Sequence, residues 1–167
     1  MVTRPGEHAG QRADAAVTAE PGCTLVVRTA DCAPVLLEAG GAVGVVHAGW
    51  RGLVLGVLEA AVAALRDVAP GEVRARLGPC IHPCCYEFDG PGRAELAERI
   101  GPRVLATTTW GTPAVDLPGG VEAVLHTLGV PLVDRSPGCT ACGAGWFSHR
   151  ARREAERLAT ATWLEPA

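Results

Sequence analysis

Thr29-Ala30-Asp31-Cys32-Ala33-Pro34-Val35-Leu36-Leu37-Glu38-Ala39-Gly40-Gly41-Ala42-Val43-Gly44-Val45-Val46-His47-Ala48-Gly49-Trp50-Arg51-Gly52 reads as a β-hairpin with metal-capable side chains near its open end. Residues 34–38 and 42–48 are largely apolar runs rich in Val and Leu, and Gly40-Gly41 between them suits a two-residue turn. That register sets Pro34 opposite His47 and Cys32 opposite Gly49. Cys32 and His47 are then diagonal neighbours on one face, with Cβ atoms about 7–8 Å apart or a little less. Zinc takes sulfur at about 2.3 Å and imidazole nitrogen at about 2.0 Å, so the pair can share one ion. The plainer alternative is a buried, apolar Cys and a satisfied polar His. The flanks favour chemistry. Asp31 and Arg51 are charges beside apolar strands, and Gly49 and Gly52 admit close backbone approach next to the aromatic wall of Trp50.

The whole chain sets bounds on function. Its 167 residues make one domain's worth of sequence with enough apolar content for a core. A net charge of −3 with a pI near 5.9 argues against a nucleic-acid partner. No apolar run reaches membrane-spanning length, and Met1-Val2-Thr3-Arg4-Pro5 opens no signal-peptide core, so no membrane association and a cytoplasmic location are expected. Seven cysteines, without an export signal, favour thiols and metal ligands over a disulfide framework. All 15 basic residues are arginine, a compositional trait that says little about function.

Outward from the hairpin, a short strand is expected at 15–18 and another at 23–29, leading directly into Asp31-Cys32. Residues 53–68 form the clearest helix, with Leu53, Val57, Ala61, Ala64, Leu65 and Val68 on one stripe. Its N-terminus would lie at the hairpin's open end, a seat for phosphate or carboxylate reinforced by Arg51. A strand at 72–77 precedes the cysteine-rich loop Cys80-Ile81-His82-Pro83-Cys84-Cys85-Tyr86-Glu87-Phe88. Helices are expected over 93–104 and from Pro118 through 128, a brief strand at 130–133, and closing strands at 146–150 and 159–164. The fold class is α+β, with mixed β-sheets and flanking helices in a single layered domain over residues 1–167.

Three blocks in order carry a family resemblance: Thr29-Ala30-Asp31-Cys32, His47-Ala48-Gly49-Trp50-Arg51-Gly52, and Gly78-Pro79-Cys80-Ile81 running to Cys85-Tyr86-Glu87. Ala13-Asp14-Ala15 upstream, and Cys139-Thr140, Phe147-Ser148-His149-Arg150 and Trp163-Leu164 downstream, extend it over essentially the whole chain. The sequence resembles the laccase-domain family, also called polyphenol oxidase, purine nucleoside phosphorylase or peptidoglycan editing factor proteins. The resemblance implies a catalytic zinc held by one Cys and two His, with Cys32 and His47 as two of these ligands. The family's first His lies in a Gln-Val-His-Gly motif, which this sequence lacks. His8 is the sole histidine upstream of the hairpin; it lies too close to Ala13-Asp14 to be the natural match, and a solvated loop residue is the first reading, with a substitute zinc ligand as the alternative. The resemblance therefore implies a chain that begins downstream of the first ligand, N-terminally truncated relative to the family.

The implied activity is zinc-dependent: phosphorolysis of adenosine, inosine or methylthioadenosine, with adenosine deamination also attributed to the family. Purine nucleoside and phosphate are the expected partners, together with a possible homodimer. Cys32, His47 and Arg51 are the candidate catalytic residues, with Cys32 and His47 also the metal ligands. Asp31, Arg28 and Arg150 are candidate substrate-binding residues, although a structural ion pair is an equal reading for the last two. The copper-laccase label does not suit this chain, which has five histidines and no His-x-His pair. Two rivals remain beside a non-catalytic peptidoglycan-editing role. One is a metal-independent cysteine hydrolase in which His47 activates Cys32 and Asp31 orients. The other is a structural four-thiolate zinc site pairing Cys80 and Cys84 with Cys139 and Cys142, with Cys85 as a competitor.

Overall fold

Two adjacent apolar strands rich in Val and Leu build the centre of the molecule. The computed structural model describes residues 1–166. Strands β1 (Ala15–Thr18), β2 (Leu25–Thr29), β3 (Ala33–Ala39) and β4 (Ala42–Ala48) come first in the chain. β3 and β4 pair antiparallel from Ala39↔Ala42 to Ala33↔Ala48, with Pro34 opposite His47. Gly41 closes the two-residue turn at φ +90°, a conformation that side-chain-bearing residues rarely adopt. β1 adds antiparallel to β4. On the other side, β5 (Arg74–Leu77) pairs antiparallel with β3, and the later strand β8 (Leu132–Arg135) runs parallel to β5. The mixed sheet has the order β1-β4-β3-β5-β8.

The strand period divides the interior between two faces. Val35, Leu37 and Val46 pack with Leu58, Val62 and Leu65 of one helix and Val121 and Leu125 of another. Leu36 and Val45, on the opposite face, pack with Cys23, Leu25 and Val27. Helices thus cover one face, and an antiparallel ribbon of β2 with β9 (Leu158–Thr162) covers the other. Leu37, Val35 and Val46 lose all but a trace of their solvent exposure. Burial of such side chains contributes about 1.5–3 kcal/mol each.

Several elements differ from the sequence expectation. The helix expected over 53–68 is two helices, α1 (Trp50–Val54) and α2 (Val57–Val68), separated by Gly56 at φ +80°. The apolar stripe conceals the break because Leu53 and Val57 both face the core cluster on either side of it. The helix end at the hairpin therefore belongs to a five-residue turn, and the long helix starts one turn later. That removes the dipole of a long helix from the anion argument at Arg51. The helix expected over 93–104 ends earlier, as α3 (Pro91–Ile100), because Gly101 at φ +115° and Pro102 divert the chain into a single 3-10 turn, Pro102–Val104. α4 (Leu117–Thr127) begins on Asp116, whose side chain accepts from the Gly119 amide at 2.9 Å. The hairpin of β6 (Leu105–Thr107) and β7 (Pro113–Val115) was not foreseen; three-residue strands leave too little alternation to read.

Residues 146–150 do not form a strand. Ser148 instead caps the short helix α5 (His149–Arg152), its Oγ accepting from the Ala151 amide at 3.1 Å. No helix among the described residues is long and apolar enough to cross a membrane.

Candidate active site

The hairpin register delivers the Cys–His pair. Cys32 directly precedes β3 and His47 sits on β4 opposite Pro34. Gly49 makes room for the sulfur, since a Cβ on Gly49 would stand 3.1 Å from Cys32 Sγ. The β1–β4 register, Ala15↔Val46, brings the residue before β1 alongside His47. The His47 amide donates to the Asp14 carbonyl at 2.7 Å, and Asp14 Oδ1 stands 2.9 Å from His47 Nδ1. That pairing orients the ring and leaves Nε2 for other contacts. Hydrogen bonding to Cys32 is the strongest influence on His47. With the Asp14 carboxylate it outweighs the opposing effect of burial and raises the imidazole from 6.5 to about 9.

The pair opens into a hollow of about 430 Å³ whose walls come from distant parts of the chain. Asp31, buried and at φ +88°, ties these walls together. Its Oδ1 accepts from Thr140 Oγ1 at 2.7 Å, its Oδ2 from the Arg150 amide at 2.6 Å, and its carbonyl from the Ile81 amide at 2.9 Å. Tyr86 lines the hollow, and the Arg150 guanidinium lies 5.2 Å from its ring centre. Burial pushes the Tyr86 hydroxyl up to about 12, so it stays neutral. Arg51 stacks over Trp50 at 4.4 Å. Trp50 and Tyr86 both meet Phe88 edge-on, at 5.2 and 5.3 Å, which fixes the two aromatic walls relative to each other.

Of the residues expected from sequence, Cys32, His47, Arg51, Asp31 and Arg150 line this one hollow. Arg28 does not; it is exposed on β2, paired with Ala159 across the ribbon. His8 lies beside a different hollow, 3.9 Å from Glu7. Asp31 was the expected orienting carboxylate, but its side chain is hydrogen-bonded to Thr140 and Arg150, and His47 pairs with Asp14 instead. Asp14 fills that position. Asp14, Tyr86 and His149 line the pocket although sequence reasoning gave them no role. Ala13-Asp14-Ala15 had been noted as an element, but only the β1–β4 pairing shows what its carboxylate touches. The four-thiolate expectation also changes by one ligand. Cys80 is buried in the core cluster, and Cys85 takes its place beside Cys84, Cys139 and Cys142.

Cys32 and His47 suit zinc in kind, a thiol beside an imidazole oriented by a carboxylate through its other nitrogen. They do not suffice in number. A catalytic zinc takes three protein ligands, and no third metal-capable side chain among the described residues groups with these two. His149 faces the hollow without joining them.

Comparison with known proteins agrees with this fold. The chain is 45% identical over 164 residues to a Streptomyces coelicolor protein named purine nucleoside phosphorylase, covering 96% of this chain and 67% of that one. It is 46% identical over 156 residues to a Streptomyces griseus protein of the same name, covering 91% and 63%. A crystal structure of a Neisseria meningitidis protein superposes with a TM-score of 0.80 at 32% identity, covering 92% of this chain and 65% of that one. The chain thus spans about two thirds of the length of the relatives it matches. The family model described as multi-copper polyphenol oxidoreductase laccase matches residues 1–165, and the chain belongs to that family.

Proposed function

We propose that the hollow at the end of the β3–β4 hairpin belongs to a purine nucleoside phosphorylase. In that reaction a phosphate oxygen bonds to the anomeric carbon, the bond from that carbon to the purine nitrogen breaks, and base and ribose 1-phosphate leave. The observation that carries the reading is the convergence on one hollow of the Cys32–His47–Asp14 array, two arginines and two aromatic walls. The names of the Streptomyces relatives support it. Trp50 and Tyr86 offer flat apolar surface to a purine. Arg51 and Arg150 offer guanidinium donors to phosphate, each steadied by stacking on one of those rings. Asp31 acts through others in this reading, holding the Arg150 segment in place.

Zinc is the metal we assign to Cys32 and His47, a thiol and a carboxylate-oriented imidazole being the two donors this chain brings to it. When bound it supplies a Lewis acid. Adenosine deamination, in which water replaces the exocyclic amine and ammonia leaves, falls within the same proposal. The test is release of free base and ribose 1-phosphate from adenosine and inosine with zinc supplied, with and without inorganic phosphate. We expect phosphate-dependent cleavage that Cys32→Ala abolishes and Arg51→Ala weakens through a higher phosphate KM. Full activity in Cys32→Ala would sink the assignment.

One observation favours a second reading. The Cys32 thiol stands beside His47, and Asp14 orients that ring as a third member, the constellation of a base-assisted cysteine nucleophile. A hydrolase of this kind keeps its activity in a chelator, whereas the zinc enzyme loses it.

A further inference from the structure

Beyond the Cys32–His47 hollow lies a second cluster, in which no residue of the proposed active site takes part. Cys84 and Cys85 stand on the turn after Pro83, and Cys139 and Cys142 on a loop more than fifty residues later. Their four sulfurs all lie within 4.8 Å of one another, and they form the one such group among the described residues. Cys142 Sγ is 3.4 Å from Cys84 Sγ and 3.1 Å from Cys85 Sγ. Four thiolates at about 2.3 Å around a tetrahedral ion stand about 3.8 Å apart, within the span of these separations. We propose that Cys84, Cys85, Cys139 and Cys142 form a closed structural site for a divalent metal of the zinc class.

The backbone around the sulfurs is already in place for this. The two loops meet at a bridge between Cys80 and Cys139, and the Thr140 amide donates to the Cys80 carbonyl at 3.0 Å. The His82 amide donates to Cys139 Sγ at 3.3 Å, a bond that favours thiolate. The Cys85 amide donates to the His82 carbonyl at 3.1 Å, closing the turn that carries the adjacent ligands. A third loop braces the same turn, with the Thr109 amide donating to the Cys84 carbonyl at 3.0 Å. On binding, each thiol gives up its proton to solvent and its sulfur bonds the ion. With four thiolates the ion has no open position, so its role is to clamp rather than to react. It clamps two walls of the active hollow, because Tyr86 follows Cys85 and Thr140, the partner of Asp31, follows Cys139.

Cobalt(II) is the probe, since its sulfur charge-transfer band counts the thiolates around it. The reduced full chain, its Cys32→Ser variant and its Cys142→Ser variant would be titrated with cobalt, with circular dichroism to verify folding. We expect a band of four-thiolate intensity, at one equivalent, in the wild type and in Cys32→Ser. In Cys142→Ser, where the substituted side chain is exposed, the band should fall by a quarter or more and the affinity by at least tenfold. Cys85→Ser should behave in the same way, and a chelator should speed amide exchange in residues 82–88 and 139–150. A full band in folded Cys142→Ser overturns the proposal, as does loss of the band in Cys32→Ser. Failure of the reduced wild type to bind cobalt with four thiolates also overturns it, including the case where Cys142 is recovered only in a disulfide. None of these readouts depends on catalytic activity.

Discussion

His47 is the residue in which strand register becomes chemistry. Its raised pKa rests first on Cys32 and next on Asp14, so Cys32→Ala should lower it further than Asp14→Asn does. NMR titration of the ring would follow both, and no shift in either variant would contradict the pairing. The sign for stability follows from linkage. A group whose folded pKa stands above its unfolded value stabilises fully below about 6.5, and that contribution disappears as the pH climbs through about 9. Stability against urea should therefore decline across that window, and Cys32→Ala should flatten the decline. Metal at this pair competes with the same proton, so its affinity should rise with pH over the same interval. Gly49 is the complementary case. Its backbone, at φ −84°, accepts any residue, so Gly49→Ala acts only through the methyl that would meet Cys32 Sγ at 3.1 Å. The variant should fold normally yet bind zinc less tightly at Cys32, measurable by competition with a chromophoric chelator.

Among the elements, the connections that wall the hollow hold more of its geometry than the strands beneath. Thr140→Val would leave a buried carboxylate oxygen of Asp31 without its donor, at a cost of about 1–3 kcal/mol visible in urea unfolding. A change near zero would mean that water replaces the hydroxyl. α3 meets α1 through Gly92, where a Cβ would come within 2.7 Å of Trp50 Cη2. Gly92→Ala should destabilise by about 1–3 kcal/mol and shift the Trp50 wall, lowering Tm and weakening nucleoside binding together. The sequence made the hairpin legible because a Gly-Gly turn between two apolar runs specifies register locally. The break at Gly56 was hidden, since the apolar stripe continues across it. The Asp14–His47 contact and the exchange of Cys80 for Cys85 depend on pairings between remote segments, which local pattern does not encode.

For the whole molecule, the layering predicts where the structure opens first. β3 and β4 are bonded on both edges and covered on both faces, whereas β2 and β9 form a two-stranded ribbon with alternate residues facing solvent. Amides of Val35, Leu37 and Val46 should exchange only at the global unfolding rate, and those of β9 through cheaper local opening. Equal protection in the two would contradict this layering. The mixed sheet with its helical face was legible from period and turn residues; the ribbon was half legible, its strands visible but not their pairing. The reach of Asp31 has one more consequence. Its partners Thr140 and Arg150 lie 109 and 119 residues further along the chain. A ribosome adding about 5–20 residues per second takes roughly 5–20 s to cover that interval. Throughout it the Asp31 carboxylate lacks both of the donors that hold it in the finished protein, so this wall of the hollow is set only when the C-terminal segment arrives.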